Sequence, residues 1–200
     1  MITYRPISKL GKLKLDLAFD NVLKVYELQK DDMFSFTEII DLSLELLVIN
    51  KWRIKKLNYN DKANLLKEIM VEFINPKSKS TDNQKVFDFN QDSNYIYASF
   101  MLDYGIDLVD YQGKLDWRKF LALFQGLSEG TKIRQVIGIR TAEIPEANKH
   151  NKQQIMKLIE AKNYYALEFT EEEMEEQFNK SLDKLASALE KKAVRKDAES

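Results

Sequence analysis

The sequence predicts a mainly α-helical protein: a multi-helix globular body with a small N-terminal β-hairpin and an extended amphipathic C-terminal helix. Three observations predict it. Apolar residues recur at spacings of three and four through most of the chain, the repeat of a helix with one buried face. Helix start signals precede these stripes, most clearly Ser35 with Glu38 and Thr170 with Glu173. The two-residue period of a strand is confined to Leu13, Leu15 and Leu17, which alternate with Lys14 and Asp16.

The elements follow in order. Gly11-Lys12 is the expected turn of the hairpin, pairing Leu13–Leu17 with Ile7–Leu10. From Asp20 the period lengthens, and Val22, Leu23, Tyr26 and Leu28 predict a short helix. Ser35 caps the next helix, with Glu38 completing a capping box and Phe34 and Ile39 placed for a hydrophobic staple. Asp61 opens another helix carrying Leu65, Leu66, Ile69, Met70, Phe73 and Ile74, and Pro76 stops it.

Residues 77–85 are polar and predict an exposed loop. Val86–Phe89 reads as extended. Asp92 caps a helix with Tyr95, Ile96, Phe100 and Tyr104, closed by Gly105 in a left-handed conformation. Asp116 caps a helix with Trp117, Phe120, Leu121 and Phe124 on one side, and Gly126 lies near its end. Thr131–Ile139 is short, apolar and compatible with a helix. Beyond Pro145, Ile155, Leu158 and Ile159 begin another. The last helix, opened by Thr170, carries a narrow stripe of Met174, Phe178, Leu182, Leu185 and Leu189. Five glutamates lie near its start and Lys191, Lys192, Arg195 and Lys196 near its end, as the helix dipole favours. These signals divide the chain into a body at 1–144, a linker with a short helix at 145–169, and the amphipathic helix at 170–200.

Composition narrows the function. With 31 Lys+Arg against 32 Asp+Glu the net charge is −1, without the basic excess of a dedicated nucleic-acid binder. There is no cysteine, hence no disulfide, thiolate nucleophile or Cys-based metal site. Met1–Pro6 lacks the apolar run of a signal peptide, and no stretch approaches the ~18 apolar residues of a membrane span, so a cytoplasmic protein is expected. His150, the single histidine, lies in the polar stretch Asn148–Asn151 and is expected to be a solvated loop residue. No nucleotide loop, dinucleotide fingerprint or nucleophile elbow occurs, so neither an enzyme nor a cofactor is expected. Asp88–Asn94 resembles the front of an EF-hand loop, but Ser93 and Ser99 stand where that loop needs glycine and a bidentate glutamate. The expected structure is an acidic turn into a helix start.

Two surfaces remain as protein-binding candidates. Trp117, Phe120 and Phe124 are either ordinary core or a partly exposed aromatic anchor. Met174, Phe178, Leu182, Leu185 and Leu189 either dock back on the body or pair with a partner helix. The cluster Lys51-Trp52-Arg53-Ile54-Lys55-Lys56 could contact nucleic acid by charge and stacking, but reads better as the cationic end of the preceding helix.

Residues 86–140 carry a family resemblance. Asp88-Phe89-Asn90-Gln91-Asp92, Tyr95-Ile96-Tyr97-Ala98-Ser99-Phe100, Tyr104-Gly105-Ile106-Asp107-Leu108, Leu115-Asp116-Trp117-Arg118-Lys119-Phe120, Ala122-Leu123-Phe124-Gln125-Gly126-Leu127 and Ile137-Gly138-Ile139-Arg140 occur in that order. Together they resemble the tailed-phage family named after gene product fifteen of a phage of Gram-positive bacteria. The likeness extends in weaker form back to Leu13–Leu28 and forward to Met156–Leu158 and Tyr164–Leu167. It implies a protein encoded between the major tail protein and the tape-measure protein of a long-tailed phage or prophage. It further implies a tail assembly chaperone that binds the tape measure, with tube subunits as a further candidate partner, in the host cytoplasm and is absent from the finished virion; self-association is also open. The alternatives are a structural tail or connector component and a small nucleic-acid-binding regulator.

Overall fold

The computed structural model describes residues 13–74, 85–148 and 150–169. It divides the chain into a unit over Met1–Tyr165 and a second over Ala166–Ser200. Seven α-helices are described, all in the first unit: α1 (Phe19–Leu28), α2 (Phe36–Leu47), α3 (Tyr59–Ile69), α4 (Ser93–Tyr104), α5 (Trp117–Gln125), α6 (Lys132–Thr141) and α7 (Lys152–Tyr164). A short 3-10 turn, Lys51–Arg53, leads from α2 towards α3, and α3 widens into a π-helical turn at Met70–Ile74.

The expected hairpin is corrected by where the backbone of residues 14–19 finds its partners. Leu15 makes an isolated antiparallel bridge with Val48, and Ala18 makes another with Asp116. The Asp16 N–H donates to Leu47 O at 2.9 Å, the Ile49 N–H to Lys14 O at 2.9 Å, and the Trp117 N–H to Leu17 O at 2.7 Å. The segment is thus clamped between the C-terminal end of α2 and the N-terminal end of α5. Each neighbour turns into a helix after one or two residues, so no ladder extends and no strand forms among the described residues. The other half of the expected hairpin, Ile7–Leu10, lies outside the described residues, as does most of the polar loop at 77–85.

Local signals set most helix ends. Ser35 and Glu38 form the full capping box: the Ser35 N–H donates to Glu38 Oε2 at 2.9 Å, and the Glu38 N–H donates to the Ser35 hydroxyl. α3 starts two residues before Asp61, because Asn58 accepts the Asp61 N–H at 2.9 Å and so takes the cap position. Asp116 caps α5 by accepting the Arg118 N–H at 3.0 Å. Gly105 closes α4 with φ 62°, the left-handed conformation that costs glycine nothing.

α5 is the hub, packing on α1, α4 and the π-helical turn. Phe120 is sandwiched between Phe19 and Phe100, with near-parallel rings at centroid distances of 5.0 and 5.2 Å. Truncating such a fully buried ring to alanine costs roughly 3–5 kcal/mol. The carbonyls at the end of the π-helical turn are satisfied from α5: Trp117 Nε1–H donates to Ile74 O at 3.0 Å, and Arg118 donates to Glu72 O at 3.2 Å. The Arg118 guanidinium also lies 5.3 Å from the centre of the Phe73 ring. The wider turn buries both Phe73 and Ile74.

α6 receives its cap from another helix. Thr131, at its cap position, makes no side-chain cap bond. Instead the buried Ser99 hydroxyl, on α4, accepts the Ile133 N–H at 3.1 Å and donates to Tyr95 O at 2.6 Å. α7 packs on α6, where the Lys132 ammonium sits 4.7 Å over the Tyr165 ring and donates to its hydroxyl at 2.6 Å.

Candidate protein-binding cleft

The acidic turn before α4 is built from charges drawn inward. Asp88 is buried, and its carboxylate accepts from Lys30 Nζ at 2.7 Å, Lys85 Nζ at 3.0 Å and the N–H groups of Asn90 and Gln91 at 2.9 and 3.1 Å. Burial alone would raise the Asp88 pKa. The two ammonium groups and two backbone donors outweigh it and hold the carboxyl well below the usual range. Asp92, 1% exposed, does not cap α4 with its side chain. It is taken by a bidentate pair with Arg140 at 2.6 and 2.8 Å and by the Asp88 N–H at 3.0 Å. Arg140 also donates to Val86 O and Tyr165 O, so it ties α6 to the 85–88 segment and the end of α7. The resemblance to a calcium loop therefore dissolves into ion pairs, and no acidic or histidine cluster that could hold a metal occurs among the described residues.

This turn positions an apolar cleft. Held at Asp88, the segment lays Phe87 and Phe89 against the aromatic row of α5. Phe89 lies 5.5 Å from Trp117, 5.8 Å from Phe120 and 5.5 Å from Phe124, and Phe87 lies 4.8 Å from Phe124. Two adjoining depressions open beside it, of about 320 and 390 Å³. The first lies between α1 and the 85–90 segment, with Tyr26 and Phe87 in its wall and Glu27, Lys30 and Lys85 at its rim. The second lies between α1, α4 and the loop after α4, lined by Phe19, Ile96, Leu108 and Phe120, with Val109 at 62% exposure. Leu23, Phe89 and Ser93 line both, so the two form one apolar trough with charged and amide groups along its edges.

The sequence-derived candidates fall in different places. Trp117, Phe120 and Phe124 are 1%, 1% and 7% exposed, so the trio is core and not an exposed anchor. Its rings back the wall of the trough, and Phe120 reaches the floor. Met174, Phe178, Leu182, Leu185 and Leu189 lie outside the described residues. His150 is exposed, in a turn where its N–H donates to Asn148 Oδ1 at 2.9 Å. The trough residues Leu23, Phe87 and Val109 were missed. The one sequence signal for them is the alternation of Phe87 and Phe89 with Asp88 and Asn90, which places two rings on one side of an extended segment.

The motifs that carry the sequence resemblance thus meet in space. The acidic turn, the Tyr95–Phe100 helix, the Trp117–Phe120 helix and Arg140 form the walls and fastenings of one helical body. The chain belongs to the bacteriophage Gp15 protein family, whose model matches residues 8–167. Comparison with curated proteins and with solved structures gives no match. No helix among the described residues is long and apolar enough to cross a membrane.

Proposed function

We propose that this phage protein is a tail assembly chaperone that binds the tape-measure protein during tail morphogenesis and seats apolar side chains of a tape-measure helix in the α1–α4 trough. The trough carries the reading. Its floor is apolar and aromatic, its rim is charged, and it is open along its length, as a groove for one face of an amphipathic helix must be. A tape measure is a long helical chain whose apolar seam is exposed before the tube surrounds it. Covering that seam keeps it soluble, and displacement by tube subunits releases the helper without nucleotide hydrolysis.

Co-expression with the tape-measure protein of the same phage tests this. The wild-type chain is expected to keep the tape measure soluble and to co-purify with it. Val109→Glu, at the exposed rim, and Leu23→Glu, in the wall, are expected to abolish co-purification while the circular dichroism spectrum is retained. Equal solubility and recovery with and without this chain would refute the reading. Mass spectrometry of purified particles separates the chaperone, which is absent, from a structural tail component, which is stoichiometric.

A further inference from the structure

The connection between α2 and α3 carries a surface that the trough does not use. A 3-10 turn spans Lys51–Arg53, and Trp52 within it and Ile49 just before it are 65% and 59% exposed. Beneath them Ile54 is buried, at 5% exposure, which anchors the turn to the core. The Arg53 guanidinium lies over the Trp52 ring, 4.6 Å from its centre. Lys51, Lys55 and Lys56 are exposed, and none has an ion pair among the described residues. An exposed tryptophan beside an exposed isoleucine thus lies among lysines that meet no carboxylate among the described residues.

We infer that residues 49–56 form a second docking surface, distinct from the trough, whose occupant is an acidic amphipathic protein segment. Charge complementarity selects the acid: three ammonium groups without carboxylate partners among the described residues attract carboxylates and orient them around the indole. The apolar edge selects the protein. Ile49 adds aliphatic surface that a nucleotide chain cannot use, and Arg53 already covers one face of the ring on which a base would stack. Trp and Arg anchors inside a charged rim match the anatomy of protein interfaces. This inference does not depend on the tape measure being the occupant of the trough.

The two tryptophans supply a built-in readout, since Trp52 is exposed and Trp117 is 1% exposed. Acrylamide quenching of the full-length protein is expected to resolve a quenchable population that Trp52→Phe removes. The probe is a synthetic helical peptide with glutamates on one face and leucines on the other. It is expected to shield the quenchable population, with protection declining as salt rises. Lys51→Glu, Lys55→Glu and Lys56→Glu combined should weaken that protection at least about tenfold. Val109→Glu in the trough should leave it unchanged, which separates this surface from the proposed chaperone site. Protection by oligodeoxythymidylate but not by the peptide would overturn the inference in favour of nucleic acid. Equal protection by an acidic peptide without the leucine face would overturn the role of the apolar edge. Absence of protection by the amphipathic peptide would overturn the inference as a whole.

Discussion

Asp92 and Arg140, 48 residues apart, form a bidentate pair at 2.6 and 2.8 Å in which the carboxylate side chain is 1% and the guanidinium side chain 11% exposed. The pair joins the start of α4 to the end of α6. Its guanidinium fork also holds the carbonyls of Val86 and Tyr165. Removing one partner leaves a buried charge without compensation, which costs far more than the intact pair contributes. Arg140→Met is expected to destabilise the protein by about 3–5 kcal/mol, read from urea denaturation. Adding Asp92→Asn to Arg140→Met should recover part of that loss, because the orphaned charge is then gone. If Arg140→Met shifts stability by less than about 1 kcal/mol, the pair does not fasten α4 to α6.

Ser99 and Ile133 give a second, independent coupling between α4 and α6. The Ser99 hydroxyl serves the first turn of α6 as a cap residue normally would, while Thr131 directs its own hydroxyl to Ser128 O at 2.7 Å. Ser99→Ala leaves the Ile133 N–H unsatisfied in a buried site and should cost about 1–2 kcal/mol. Hydrogen exchange gives the specific readout. The Ile133 amide should lose protection beyond the global change in stability, whereas the interior amides of α4 should follow the global change alone.

Legibility in the sequence divides along the same line between local and distant interactions. The capping box at Ser35–Glu38, the Asp116 cap and the left-handed Gly105 were readable because each is decided within a few residues of backbone. The hairpin is not legible because alternation at Leu13–Leu17 reports an extended, half-buried segment but not its partner, and the partners are helix ends at Val48 and Asp116. The aromatic trio of α5 was recognised, but periodicity alone cannot tell core from interface. What settled the matter was the 85–90 segment, which lays Phe87 and Phe89 over that row. Asp92 was expected to cap α4. A cation 48 residues away claims its carboxylate instead, a contest that no local pattern reveals.

Acid should act on the protein through Asp88. Its carboxyl titrates well below the ordinary range when folded, because Lys30, Lys85 and two backbone N–H groups outweigh its burial. In the unfolded chain it titrates near about pH 3.9. Between those values the unfolded state binds the proton and the folded state does not. The stabilisation is therefore complete above about pH 4 and declines as pH falls below it. Urea midpoints measured from neutral pH downward should fall more steeply below pH ~4 for the wild type than for Asp88→Asn, and the two curves should converge in acid. Parallel curves would show that the Lys30 and Lys85 contacts do not act on the ionised form.

Gly126 and Tyr104 should prove energetically coupled. Gly126 ends α5 with φ −83°, an ordinary helical value, so a side chain there meets no backbone penalty. Alanine would even gain roughly 0.4–1 kcal/mol by restricting the unfolded chain. Opposing this, an added Cβ would stand 3.1 Å from the Tyr104 hydroxyl and 3.3 Å from Ala122 O. That hydroxyl donates to Leu123 O at 2.9 Å and cannot retreat without weakening the bond that fastens α4 to α5. Gly126→Ala should therefore be less favourable in the wild type than in a Tyr104→Phe background, where the obstructing oxygen is gone, by about 1 kcal/mol. A double-mutant cycle on thermal or urea unfolding measures the difference directly. An interaction energy of zero would mean that the tyrosine swings aside freely and that glycine at this position does not answer to the Tyr104 contact.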